Sequence, residues 1–564
     1  MILSALAVWR KLNLTTPVSV EEGDEICSRS GIKIRDITFD GKKAEDGYVR
    51  IYAKFARPLG DGKVPAVLLL ADANATAEDV DETVEYFVKK GYAVLAPDYV
   101  GEGAEKEKFT VYPDSLSYAN FEKANLYALD KTAVETCWFE WTCVALYGVE
   151  YLKQREDVSN IGVVGMRIGG EIAWKTMLSS DIKCGVPINA AGWLTYFDYD
   201  KFADNSLKNM TDNQRAYIAG VESQSYAPFV KCPVLMLCSM RDYVFDYDRA
   251  YDTFMRLPEK DGSAIAYSSD SGAVIGPNLL KNMELFLEKN LKGREIFIPE
   301  TVDLKLTSSG EMLCLEADVG TGGIVEEFGV LYAETGEESE SAYREWQNLL
   351  KTDGKNLKNG VLTTTVTPYG GADYAFAYAY ARYINGFTAV SRIVAKKLDR
   401  AGKNAVKNRM IYSGEGIDCF SVADYKPFAV GGIFLESEAV PKQNRGYANI
   451  AGVYSIGGVK TYKIASPQYT AEENALLEFD AYSKHDFTVK VVVEVLEKGD
   501  KFRRFIASEE VKGKGKWKRI ILKANEFKDE ETGAPLKSFS LGKSLAFSGG
   551  SLEAEFSVTN VLWL

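Results

Sequence analysis

Histidine is almost missing. One residue in 564, His485, carries an imidazole, and it lies near the C-terminus. A histidine-type zinc site therefore has no ligands to draw on. Ser-His or Cys-His catalysis in the first half has no base. Cysteine is sparse as well: Cys27, Cys137, Cys143, Cys184, Cys232, Cys238, Cys314 and Cys419 are scattered, with no CxxC pair. They read as reduced thiols, several within apolar strand-like runs, and not as a disulfide framework. No metal and no cofactor is expected. Long apolar runs are absent too, since none approaches the roughly 18 residues that cross a bilayer. The opening MILSALAVWRKL has basic residues only after its short apolar run. A secretory signal has them before it, so this reads as a buried segment of a cytoplasmic protein. Positive charge is in deficit: the net charge is -13 and the pI about 5.1. That excludes nucleic acid or an anionic membrane as the main partner. A small-molecule or carbohydrate ligand and a homo-oligomer remain open.

Up to about residue 298 the chain alternates strand and helix signals. GIKIRDITF and YVRIYAKFARP form a hairpin pattern around FDGKKAEDG. PAVLLLADA, YAVLAPDYVGEG, IGVVGM, CGVPINAAGW, PVLMLCSMRDYVF and SAIAYSS are the apolar runs of strands buried on both faces. Helical spacing covers 77–90, 132–154, 169–179, 246–256 and 277–291, with Gly91 and Pro277 as stop and start signals. Such interleaving predicts a doubly wound α/β sheet, with ligands at the C-terminal strand ends. After Arg294 the texture becomes strand-like. Residues 299–400 predict a small β-sandwich with one short helical patch near 343–350. KKLDRAGKNAVKNR reads as the linker to a second all-β unit, 401–564.

The stretch GVVGMRIGG, 162–170, follows a strand and leads into a helix. Together with VPAVLLLADA, KKGYAVLAPDYVGEG, GMRIGGEIAW and LMLCSMRDYVF it makes residues 1–298 similar to the α/β-hydrolase superfamily, nearest to its dienelactone hydrolase and acetyl-ester esterase branch. In that family the Gly-x-x-x-Gly turn holds a nucleophile at the positive end of a helix. Gly165 and Gly169 match the flanking glycines. The tip is Arg167, which has five donors and no lone pair for attack. The resemblance puts the family acid at Asp242. The family histidine falls in SSDSGAVIG, where Asp270 and Ser271 are the nearest candidates. Two readings of Arg167 stand: a pair with Asp242 across the site, or a fork for an anionic ligand such as a carboxylate or sulfate. Asp72 and Ala73 fall where the family places an oxyanion donor. Met166 precedes the tip, and Trp193 is a candidate wall. The inserts 100–131 and 194–230, rich in Tyr, Phe, Asp and Asn, suit a cap. Cys137 and Cys143 read as core, and Glu135 and Glu140 have no identifiable partner.

LLEFDAYSK, WKRIILKANEFKDEETGAPL and FSVTNVLWL resemble the galactose-binding-like jelly roll of many carbohydrate-binding modules. Tyr482, Phe502 and Trp517 follow strand periodicity and suit either core or sugar stacking, and Trp563 suits core. The chain is thus expected to be a catalytically degenerate α/β-hydrolase-like protein that binds a carbohydrate-related or anionic small ligand in the old cleft. The alternatives are an active hydrolase on a glycan ester or glycoside by a non-Ser-His mechanism, and a non-catalytic scaffold.

Overall fold

The computed structural model describes residues 2–27, 31–75, 79–103, 106–195, 210–242, 245–271, 276–320, 322–336, 341–357, 359–399, 405–423, 441–455, 457–496, 502–549 and 556–564. Side chains are described within these ranges except at 269–271. An N-terminal α/β unit is followed by antiparallel β-sheets.

The α/β unit opens with a short helix α1 (Ala5–Val8) and the edge strands β1 (Val18–Glu22) and β2 (Ile26–Cys27). Next come the hairpin β3 (Ile32–Lys43) and β4 (Tyr48–Pro58), then β5 (Val64–Leu70), α2 (Asp81–Lys89) and β6 (Ala93–Pro97). The remainder is α3 (Cys137–Gln154), β7 (Val158–Met166), α4 (Ile168–Thr176), β8 (Ile182–Ile188), α5 (Asp212–Gly220), β9 (Leu235–Arg241), α6 (Ala250–Met255), β10 (Ala264–Ser271) and α7 (Pro277–Lys292). Among the described residues these strands form one sheet in the order β1-β3-β4-β6-β5-β7-β8-β9-β10, with β2 on β3. From β6 to β10 every neighbour pair is parallel. The order reverses at β5, which lies between β6 and β7. A sheet opens a crevice at such a point.

The two faces follow from alternation along each strand. On β5, Ala66, Leu68 and Leu70 join Trp141 of α3 and Trp174 of α4 in one core. Val67 and Leu69 join Phe87 of α2 and Phe286 of α7 in the other. Burying a large apolar side chain contributes about 1.5–3 kcal/mol relative to exposure, so Trp141 and Trp174 are among the anchors of α3 and α4. Helix α3 starts at Cys137, later than the spacing predicts, because the Thr136 hydroxyl caps it by accepting from Phe139 N at 3.2 Å. The expected helix at 246–256 is a 3-10 turn, Tyr247–Arg249, leading into α6. Part of the expected 77–90 helix lies outside the described residues.

In the next part a three-stranded and a five-stranded antiparallel sheet share a core containing Leu304, Leu315, Phe328 and Ala377. The helical patch expected near 343–350 is instead a 3-10 turn, Ser341–Tyr343, followed by a strand, Gln347–Asp353. Cross-strand pairing with Val325–Thr335 overrides the local pattern. Arg344 is buried there, with both ends of its fork on Asp248 at 2.7 and 2.9 Å. That contact ties the sandwich to the α/β unit. The last part is two six-stranded antiparallel sheets around a core that includes Phe479, Phe547 and Trp563. Tyr482 and Trp517 lie 5.2 Å apart, and Phe502 is exposed. Among the described residues no helix is long and apolar enough to cross a membrane.

Candidate functional site at the sheet reversal

The C-terminal ends of β5, β7, β8 and β9 lead into the residues the sequence singled out: Asp72 and Ala73, Met166 and Arg167, Trp193, and Asp242. Arg167 sits between β7 and α4 at φ 47°, ψ -113°, a strained conformation for a residue with a Cβ. Its own N–H donates to the Ile188 carbonyl at 2.8 Å. Close approach explains the flanking glycines. A Cβ on Gly165 lies 2.3 Å from the Gly169 carbonyl oxygen, and one on Gly169 lies 2.2 Å from that of Leu70.

The Arg167 side chain turns into the crevice. Its Nε donates to Asp242 Oδ2 at 2.7 Å, and its Nη1 reaches Asp72 Oδ2 at 3.5 Å. Asp242 is 1% exposed. Its Oδ2 also accepts from Asn189 Nδ2 at 3.0 Å, and its Oδ1 from Phe245 N at 3.2 Å. Asn189 in turn accepts from Ser239 N at 2.6 Å, so the acid is held from two strands. Burial raises the Asp72 carboxyl above the usual carboxylate range, despite the nearby guanidinium. Burial also opposes the charge on Arg167, but the fields of Asp242 and Asp72 outweigh it and raise its pKa.

Residues 51–260 match the dienelactone hydrolase family. The match ends before the all-β part begins. Solved structures similar to this chain include an acetyl xylan esterase from Paenibacillus sp. R4, 16% identical, covering 51% of this chain and 92% of that one, with a TM-score of 0.39. Acetyl xylan esterase 1 from Thermoanaerobacterium sp. JW/SL YS485 is 18% identical, over 50% of this chain and 90% of that one, with a TM-score of 0.38. A cold-adapted esterase from an Arctic intertidal metagenomic library is 15% identical, over 48% and 98%, with a TM-score of 0.33. No curated protein matches the chain.

Within this dienelactone hydrolase-like unit the other expected residues have definite places. Ala73 N–H donates to Asp72 Oδ1 at 2.8 Å, so the backbone donor expected to face an oxyanion is engaged by its neighbour. Met166 packs into the α2–α7 face of the core. Trp193 lines a cavity of about 60 Å³ beside Arg167, together with Trp138, Phe245 and Leu194. Its indole donates to Thr253 Oγ1 at 2.8 Å, and the guanidinium groups of Arg249 and Arg256 lie over its ring. Leu126 and Tyr127 of the first insert close the same cavity. The side chains of Asp270 and Ser271 lie outside the described residues, although Ser271 ends β10 in register with Arg241.

Sequence reasoning missed a buried polar cluster behind the cavity. Gly192 N donates to Glu171 Oε1 at 2.8 Å, and Trp193 N donates to Glu222 Oε2 at 3.1 Å. The two carboxylates thereby fix the loop that presents Trp193. Lys175 lies against Trp138 and Tyr226, and burial pulls its amine down to about 8. Its only sequence signal was a charged pair, Glu171 and Lys175, one turn apart on an otherwise apolar helix. Glu140 does have partners, Lys42 and the Tyr118 hydroxyl. Glu135 meets Lys131 and Thr132. Burial pushes the Cys137 thiol up to about 12 and raises that of Cys143 well above its ordinary value, so neither offers a thiolate at neutral pH. Among the described residues no group of three or more His, Cys, Asp or Glu side chains could hold a metal ion.

Proposed function

We propose that the α/β unit has a hydrolase fold without nucleophilic hydrolysis, and that it keeps its crevice to hold a small uncharged group of a carbohydrate-type ligand. One observation carries this reading. The tip of the strand-to-helix turn holds a guanidinium whose Nε is bonded to Asp242 at 2.7 Å, where a hydrolase of this kind needs an attacking atom and a free acid. Losing triad function costs a serine hydrolase about a million-fold in rate. The acidic surroundings of Arg167 favour a neutral group over an anion. Its charge already faces two carboxylates, and an anionic ligand adds a third. The volume of about 60 Å³ suits a group no larger than an acyl or hydroxymethyl substituent, walled by Trp193, Trp138 and Phe245. The all-β C-terminal half, with its likeness to carbohydrate-binding modules, supports the sugar context.

The test has two arms. A fluorophosphonate probe leaves the first 298 residues unlabelled, and p-nitrophenyl acetate turns over at the buffer rate with wild type and Asp242→Asn alike. A covalent adduct, or turnover that Asp242→Asn abolishes, sinks the proposal in favour of an active hydrolase. A thermal shift with neutral sugars that Arg167→Met removes supports binding in this crevice. Chain that is unlabelled, unshifted and of defined oligomeric size is a scaffold.

A further inference from the structure

Backbone strain gathers at the crevice. Among the described residues eight that are not glycine have a positive φ, and three of them, Arg167, Asn189 and Trp193, lie at the cavity beside Arg167. Asparagine tolerates that conformation, and Arg167 is forced into it by the close contacts of the turn. Trp193, at φ 64°, has no such allowance, since a bulky side chain is poorly accommodated there. A glycine in its place is unstrained, so the strain is kept for the sake of the side chain. Strain of this kind persists only where surrounding contacts over-determine the backbone, and it clusters at ligand sites.

The contacts that hold Trp193 come from buried carboxylates. Glu222, 0% exposed, accepts from Trp193 N at 3.1 Å, from Thr195 N at 2.9 Å, from the Thr195 hydroxyl at 2.6 Å and from the Gln224 amide. Gln224 Oε1 accepts from Trp193 N as well, at 3.1 Å. Glu171, 4% exposed, accepts from Gly192 N and from the Ser223 hydroxyl. A Cβ on Gly192 lies 1.7 Å from Gln224 Oε1, so the loop rests directly on its supports. Burying a charge is expensive unless it is fully hydrogen-bonded, and here two are buried to fix one short loop. The residue they fix is not enclosed in the core. Trp193 is partly exposed and lines the cavity.

We infer that Trp193 is the specificity-determining residue of the crevice, with Glu222 and Glu171 as its positioning residues, and that it limits the inserted group to a neutral acyl chain of about acetyl length. The inference rests on the binding function proposed above and states what fits there. Arg167 Nη2 has no hydrogen-bond partner among the described residues and is not buried. It offers a donor to an uncharged acceptor such as a carbonyl oxygen. The partly exposed wall around it is apolar, made by Leu126, Ile168, Trp193 and Leu194. One donor beside an apolar wall fits the oxygen and the alkyl end of an acyl group. The fixed indole leaves a volume of about 60 Å³, which has no room for a longer chain.

The test uses the full chain with N-acetyl-, N-propanoyl- and N-butanoylglucosamine, whose amides resist hydrolysis, and with glucose as the control that lacks an acyl group. Affinities are read by ligand-observed NMR titration. Wild type binds the N-acetyl sugar best and loses about tenfold with each added methylene. Trp193→Ala binds the N-butanoyl sugar at least as tightly as the N-acetyl sugar. Trp193→Leu is the milder truncation, used if the first variant does not fold, and it prefers the N-propanoyl sugar. Glu222→Gln keeps the size of the side chain but withdraws an acceptor from the loop, and it narrows the ratio of N-acetyl to N-propanoyl affinity toward equality. A residue that only stabilises the fold leaves that ratio unchanged. The inference is overturned if wild type ranks the acyl sugars alike or prefers the longest, if the Trp193 variants keep the wild-type order, or if Glu222→Gln keeps the wild-type ratio. Glucose bound as tightly as the N-acetyl sugar, with both lost in Arg167→Met, overturns this inference and leaves the crevice as a binding site. Binding of no sugar to wild type overturns both.

Discussion

Replacing Arg167 by methionine tests whether the guanidinium is the keystone of the crevice. Methionine keeps a Cβ, so the strain of φ 47° is common to both proteins and cancels. What is lost is the charge between Asp242 and Asp72. Removing one partner of a buried pair costs about 3–5 kcal/mol, because the other charge is left buried and unanswered. Arg167 keeps 26% of its side chain exposed, and Asp242 keeps its bonds from Asn189 and Phe245 N, so the lower end applies, about 3 kcal/mol at neutral pH. For a unit of this size that lowers the unfolding midpoint by about 5 °C. The loss depends on pH with a definite sign. Burial already raises the Asp72 carboxyl, and without Arg167 it moves further up. The folded variant then binds more protons than the unfolded chain, so its stability falls as pH rises through that window and recovers as pH falls. Differential scanning calorimetry of both proteins at acidic and neutral pH reads this directly. Arg167→Met/Asp242→Asn regains part of the loss at neutral pH. A single variant within about 1 °C of wild type at neutral pH, or a deficit that does not narrow on acidification, refutes the reasoning.

Two further predictions concern packing and titration elsewhere. Gly169→Ala places a Cβ 2.2 Å from the Leu70 carbonyl oxygen, a backbone clash that cannot relax, and is expected to abolish soluble expression of the chain. Gly60→Ala meets nothing within 4 Å and is strained only by φ +120°, about 1–3 kcal/mol; equal yields of the two variants contradict the account of the turn. Burial holds the Glu345 carboxyl protonated up to about 7, against an ordinary 4.5. The folded chain therefore retains a proton that the unfolded chain releases, and stability declines as pH rises from 4.5 to about 7, by at most about 3 kcal/mol from this residue. Glu345→Gln flattens that slope in urea titrations, and an unchanged slope removes Glu345 as its source.

The α/β unit was legible because its signals are local. Continuous apolar runs such as PAVLLLADA occur where a strand is covered on both faces, and Ala66 to Leu70 divide between the two cores as that requires. The turn at Arg167 was legible for the same reason, since its glycines mark a backbone approach that only glycine permits. The pairing of Arg167 with Asp242 was one of two readings, because sequence spacing does not say which way a guanidinium points. The strand at 347–353 was misread because its register is set by a partner over ten residues away.

The turn does not depend on the side chain at its tip, because its geometry is stored elsewhere. Contacts of Gly165, Gly169 and Gly170 fix the path of the backbone, and a Cβ on any of them falls within 2.6 Å of a neighbouring heavy atom. The bond from Arg167 N to Ile188 fixes its orientation. None of these contacts uses the side chain at 167. The residue there can change without moving the strand or the helix, but whatever replaces it is held at the sheet reversal, above β5 and β7. A guanidinium in that place needs acceptors, and Asp242 and Asp72 already point into it. On the reading proposed above, Asp242 takes the place of the acid that orients a histidine in a working hydrolase and serves instead as the counter-ion of Arg167 at the tip of the turn.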